Sequence, residues 1–85
     1  MSTISRFYGI IIKMYFLSSE HNPPHIHAFY NKNVAVIDIQ TLNVIEGYLP
    51  TRALKLVREW LLIHKNELHK IWLTQEFKKI EPLNW

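Results

Sequence analysis

The chain has 85 residues, 48% hydrophobic and 20% charged, with no cysteine and a formal charge of +3. That length leaves room for one core, the apolar content argues for a folded chain, and the missing thiols exclude a disulfide framework and thiolate zinc ligation. The mildly basic balance admits an anionic partner such as nucleic acid, yet Lys and Arg are scattered rather than gathered in a basic run.

Residues 5–17 read as one long strand. Tyr8, Ile10, Ile12, Met14 and Phe16 share an apolar face, and Phe7, Gly9, Ile11, Lys13 and Tyr15 form a mixed one. Lys13 interrupts the apolar run, which is too short to span a bilayer and has no small-residue cleavage site behind it. Neither a membrane span nor a signal is expected, so the cytoplasm is the default location. Residues 18–24 carry Ser, Asn and tandem Pro, which is connection chemistry. A second strand is expected over 25–30 and a tight turn at Asn31-Lys32-Asn33. The third strand covers 34–39, a turn 40–43, and a short fourth strand 44–47.

The period then changes. Pro50 suits a first helical turn, and Leu54, Val57, Leu61, His64, Leu68 and Ile71 recur at three- and four-residue steps. This predicts a helix over 50–74, followed by an aperiodic tail over 75–85. The fold class expected is α+β: a three- to four-stranded antiparallel sheet, a β-meander over 1–49, with a long C-terminal helix packed on one face, all in a single domain. Leu56, Trp60 and Ile63 make a second apolar ridge on the helix. Either the tail wraps this ridge, or it is an exposed patch that binds a partner together with Phe77 and Trp85 of the tail. The tail itself has three options: to lie over the helix, to add to a sheet edge, or to dock on a partner. An exposed sheet edge would also allow a homodimer.

The chemistry concentrates in Glu20-His21-Asn22-Pro23-Pro24-His25-Ile26-His27, with three histidines inside seven residues. Two prolines stiffen the backbone there, and strand alternation puts His25 and His27 on one side. Three readings stay open. His21, His25 and His27 could hold zinc or another divalent transition metal, with Glu20 as a further ligand or a base, although the spacing matches no strong metal signature. They could instead transfer protons in metal-independent cleavage of RNA, with Arg6, Lys13, Arg52 and Lys55 supplying cations for phosphate. Tyr8, Tyr15 and Tyr30 could then stack on bases. Or the histidines are architectural, bonded to neighbouring backbone. His64 lies on the apolar side of the helix and reads as a satisfied core histidine, whereas His69 falls on the polar side.

At these residues the chain resembles a small bacterial family known as a domain of unknown function, number 4160. The likeness rests on Ile4-Ser5-Arg6-Phe7-Tyr8-Gly9-Ile10, on Met14-Tyr15-Phe16, and above all on His21-Asn22-Pro23-Pro24-His25-Ile26-His27-Ala28. It continues through Gly47, Leu49-Pro50, Arg52-Ala53-Leu54, Val57, Trp60 and Lys78-Lys79-Ile80-Glu81-Pro82-Leu83. Where the family often has Asp and Phe around the proline corner, this chain has Glu20 and Ile26.

The resemblance implies a compact intracellular bacterial protein paired with a second small protein, of the family numbered 2442, in a toxin–antitoxin module. It brings no catalytic set with it. The leading expectation is therefore the toxin of a type II module, without a cofactor, neutralised by a cognate antitoxin protein and acting on RNA or the ribosome. A non-enzymatic protein-interaction module and a histidine metal-binding domain are the alternatives.

Overall fold

The structure is a computed structural model that describes residues 2–15 and 23–84. Five antiparallel strands lie in chain order across one sheet: β1 (Ser2–Phe7), β2 (Ile10–Met14), β3 (His25–Tyr30), β4 (Asn33–Asp38) and β5 (Val44–Gly47). Helix α1 (Thr51–Thr74) follows. The α+β class is as expected, but the three- to four-stranded sheet is corrected to five strands. The first apolar run is not one strand. It turns at Tyr8 and Gly9, both at positive φ (49° and 79°), and returns with Phe7 opposite Ile10. That turn reassigns faces: Phe7 joins the core, while Tyr8 is half exposed at the tip.

Alternation then sorts the sheet. Ile10, Ile12, Met14, Ile26, Ala28, Ala35 and Ile37 are buried on one face. Against them pack Val57, Leu61, Leu68 and Ile71 of the stripe that the three- and four-step spacing marks, joined by Ala53, Trp60 and Trp72, while Leu54 of that stripe is half-buried. Ala28 opposite Ala35 keeps the middle of the sheet thin where the helix crosses. The helix closes on Gln75, which adopts the left-handed conformation (φ 60°) and donates its N–H to the Ile71 carbonyl at 2.8 Å. Two cations of the helix are used structurally. Arg58 Nε donates to the Leu42 carbonyl at 2.9 Å and Lys65 Nζ to the Gln40 carbonyl at 2.7 Å, tying the β4–β5 loop to α1.

The tail lies over the helix and touches the β1 edge through one main-chain hydrogen bond, without adding a strand to the sheet. The Ile80 N–H donates to the Ile4 carbonyl at 2.8 Å, beside the outer edge of β1, and the Glu81 carbonyl accepts from Trp60 Nε1 at 2.8 Å. Ile80 and Leu83 are buried, and Phe77 is half-buried against the core. Trp60 is therefore a core residue, fully buried, and not part of an exposed ridge. The ridge dissolves in the fold: Leu56 is half-buried, Ile63 is exposed, and Trp85 lies outside the described residues. Among the described residues no helix is long and apolar enough to cross a membrane.

Candidate functional site

The two prolines before β3 have no N–H, so they can join main-chain hydrogen bonds only through their carbonyls, as acceptors. The Pro24 carbonyl accepts from Ile39 N–H at 3.0 Å and so extends the pairing of β3 with β4. The Pro23 carbonyl lies 2.7 Å from His25 Nδ1. A carbonyl cannot donate, so Nδ1 carries the proton. The His25 ring is buried and packs on Trp72 of α1, centroids 5.0 Å apart, and on His27 at 5.3 Å. The alternation argument thus holds, since the two imidazoles do meet on one side of β3. The main-chain bond and the Trp72 ring give His25 an architectural task. His25→Ala is expected to cost about 2–3 kcal/mol, from lost ring packing and an orphaned carbonyl. Urea denaturation followed by circular dichroism measures it, and a loss under about 0.5 kcal/mol would show that the ring supports nothing.

His27 sits differently. It is half-buried on the sheet face turned away from α1 and lies directly opposite Lys13 of β2. The Tyr15 ring meets its imidazole edge-on, centroids 4.4 Å apart. The register lays further residues of this face in rows. Thr3, Lys13, His27, Val36 and Glu46 follow one another across the strands. The next row is Arg6, Ile11, Phe29 and Val34, with Arg6 exposed. Lys13 Nζ stands 4.8 Å from the centre of the Phe29 ring, a cation–π distance. Basic and aromatic groups therefore crowd the β1–β3 side of the face, while Asp38 and Glu46 mark its β4–β5 side. Phe29 escaped the sequence reading. The signal was its parity, since it alternates with His25 and His27 along β3.

The remaining candidates do not gather here. Arg52 lines a cavity with Tyr8 and Tyr30 at the far end of the sheet. Tyr30 is five residues beyond His25, roughly 17 Å along a strand. Arg52 and the His25-packed Trp72 lie near opposite ends of α1, which is kinked at His64 (φ −109°, ψ 15°), at most roughly 30 Å apart. The expected bridge from Arg52 and Lys55 to the histidine corner is thus absent, because α1 sets its first turn against the opposite end of β3. Lys55 borders a groove with Leu54, Leu62 and Tyr48 between β5 and α1. His64 is buried as expected, its Nδ1–H donating to Glu67 Oε1 at 2.9 Å and its ring on Trp60 at 5.3 Å. His69 is half-buried. His21 and Glu20 lie outside the described residues. Among the described residues no group of three or more His, Asp or Glu could hold a metal ion.

The class these observations define is a two-layer α+β protein: a helix on one side of a five-stranded meander, and a basic, aromatic, histidine-bearing face on the other. The family model described as Domain of unknown function (DUF4160) matches residues 9–73, and the chain belongs to that family. No curated protein and no solved structure matches it.

Proposed function

We propose that this chain is the toxin of a type II toxin–antitoxin module and that it acts on RNA through the sheet face turned away from α1. The observation that carries the reading is the cross-strand pair of Lys13 and His27, with Tyr15 against the imidazole. RNA cleavage without a metal needs a proton-transfer group beside a cation for the developing phosphorane charge, and these two side chains supply both from rigid strands. Phe29, Tyr15 and Arg6 extend the same face with rings for stacking and a cation for the next phosphate. In this reading His27 is the proton-transfer residue, Lys13 and Arg6 hold phosphate, and His25 keeps the corner in shape.

Induced expression in a bacterial host, read as growth and as the integrity of total RNA, tests it. Wild-type protein is expected to arrest growth and fragment RNA. His27→Ala is expected to slow cleavage by about 100-fold or more and to relieve the arrest, with the circular dichroism spectrum unchanged. Full arrest by a folded His27→Ala protein removes this face from the mechanism.

A second reading is favoured by a separate observation. Leu62, Ile63 and Leu73 are 63%, 64% and 76% exposed on the outer side of α1. Such a surface suits a protein partner. In the toxin reading it receives the cognate antitoxin. A stable complex with that partner, with neither arrest nor RNA damage on induction, would instead make the chain a non-enzymatic interaction module.

A further inference from the structure

A cavity of about 280 Å³ opens between the Tyr8–Gly9 turn, the end of β3 and the first turn of α1. Its floor is apolar: Ile10 and Ala53 are buried, and Leu56 is half-buried. Two phenol rings, Tyr8 and Tyr30, line it, and among the described residues Arg52 is the charged one on its lining. No acidic residue stands in the first turn of α1. The space therefore suits a largely apolar body with a negative group attached.

Tyr8 adds a second observation. It occupies the first central position of a two-residue hairpin turn at φ 49°. Asn, Asp or Gly is favoured there, and a bulky L-residue in the left-handed region is disfavoured. The turn sets the Tyr8 ring on the lining of the cavity. The Tyr30 ring lies beside Gly9, where an added Cβ would stand 3.5 Å from it.

We propose that this cavity is a binding site for one nucleoside monophosphate unit, the base lying against Tyr8 and Tyr30 and the phosphate on Arg52. A base offers a flat π-face of the size the cavity admits, and stacking on aromatic rings is tolerant of base identity. A guanidinium fork matches phosphate oxygens in a way a lysine does not. The inference rests on the RNA reading for its biological source. The cavity opens on the α1 side of the sheet, where Ile10 pairs with Tyr30, opposite to the face of Lys13 and His27, so a strand of RNA bound to that face reaches it by passing round the end of the sheet at the Tyr8–Gly9 turn. The same chemistry could come from a free mononucleotide, and the two sources are separable.

The test is titration of the ¹⁵N-labelled full chain with adenosine 5′-monophosphate, with adenosine, and with a short single-stranded RNA. Adenosine 5′-monophosphate is expected to shift the amides of Tyr8, Gly9, Tyr30 and Arg52, and adenosine to do so more weakly. Tyr8→Gly is the decisive variant. Glycine is compatible with the turn's positive φ, so the variant is expected to keep the wild-type circular dichroism spectrum, yet to bind the nucleotide at least about tenfold more weakly through loss of the stacked ring. Arg52→Gln is expected to erase the preference for the monophosphate over adenosine. The RNA oligonucleotide should shift the Tyr8 and Lys13 regions together, whereas shifts at the cavity with the mononucleotide alone would assign the site to free nucleotide. No shift at these amides with millimolar adenosine 5′-monophosphate, or unaltered binding by Tyr8→Gly, overturns the inference. RNA binding that depends on Lys13 and His27 would still stand in that case, so the failure of the cavity and the failure of the RNA reading are told apart.

Discussion

Trp60→Ala is expected to leave the chain largely unfolded at 37 °C. Trp60 is fully buried, its ring lies 5.6 Å from Phe7 and 5.3 Å from His64, and its Nε1–H is bonded to the Glu81 carbonyl. Truncating a buried tryptophan costs about 3–5 kcal/mol. A chain of this length holds only about 4–13 kcal/mol in all. The melting temperature should fall by at least about 12 °C, since each kcal/mol is worth about 4–8 °C in a domain of this size. Trp60→Phe separates packing from hydrogen bonding. It keeps most of the apolar volume, loses the N–H, and should cost about 1–2 kcal/mol. Thermal melts followed by circular dichroism compare the three proteins. Near-equal melting of wild type and Trp60→Ala would mean that the tail does not cover this ring and that the ridge with Leu56 and Ile63 faces solvent after all.

Gly47→Ala should be nearly as damaging, for a different reason. Gly47 ends β5 at φ 82°, and a Cβ there would clash with the Val34 carbonyl oxygen. Backbone, unlike the end of a flexible side chain, cannot step aside. The same carbonyl accepts the Tyr48 N–H at 3.0 Å, so relief of the clash breaks that bond and peels the edge strand from β4. A loss of about 3 kcal/mol or more is expected, above the 1–2 kcal/mol that left-handed backbone alone would cost an alanine. Gly9→Ala is the internal control. It shares the positive φ (79°), but its added Cβ meets only the Tyr30 ring at an ordinary 3.5 Å, so about 1 kcal/mol is expected. Denaturant midpoints and hydrogen exchange of the Tyr48 amide distinguish the two substitutions. Equal losses would show that conformation, rather than the approach of β4, determines the glycine at 47.

Local pattern carried far in this chain. The helix expected over 50–74 spans Thr51–Thr74, because its spacing is long, regular and bounded by Pro50. The second to fourth expected strands are β3, β4 and β5 to within a residue or two, since Asn31-Lys32-Asn33 and 40–43 are turn chemistry between β-branched runs. The missed hairpin shows the limit of that reasoning. Tyr8 has no turn preference, and alternation appears continuous through Gly9, so one strand and two strands look alike until Phe7 is found opposite Ile10.

The candidate site divides in the same way. Convergence of His25 and His27 followed from alternation, a property of two residues on one strand. The pairing of His27 with Lys13 depends on the register of β2 against β3, and the loss of Arg52 and Lys55 from the corner depends on which end of the sheet meets the start of α1. Trp72 over His25 is a contact across 47 positions that no local pattern contains.

What the residues alone determined is the kind and extent of most elements, the apolar stripe of α1 and the side on which the paired imidazoles lie, because backbone preference and side-chain period act over a few residues. What only the tertiary structure decided is which apolar groups face water and which polar groups share a surface. Trp60 is core because the tail returns to Ile4 and Glu81 meets its indole, and Arg52 belongs with Tyr8 and Tyr30 because the helix lies in one direction across the sheet. These outcomes rest on distant segments closing on one another, an event that spacing along the chain does not encode.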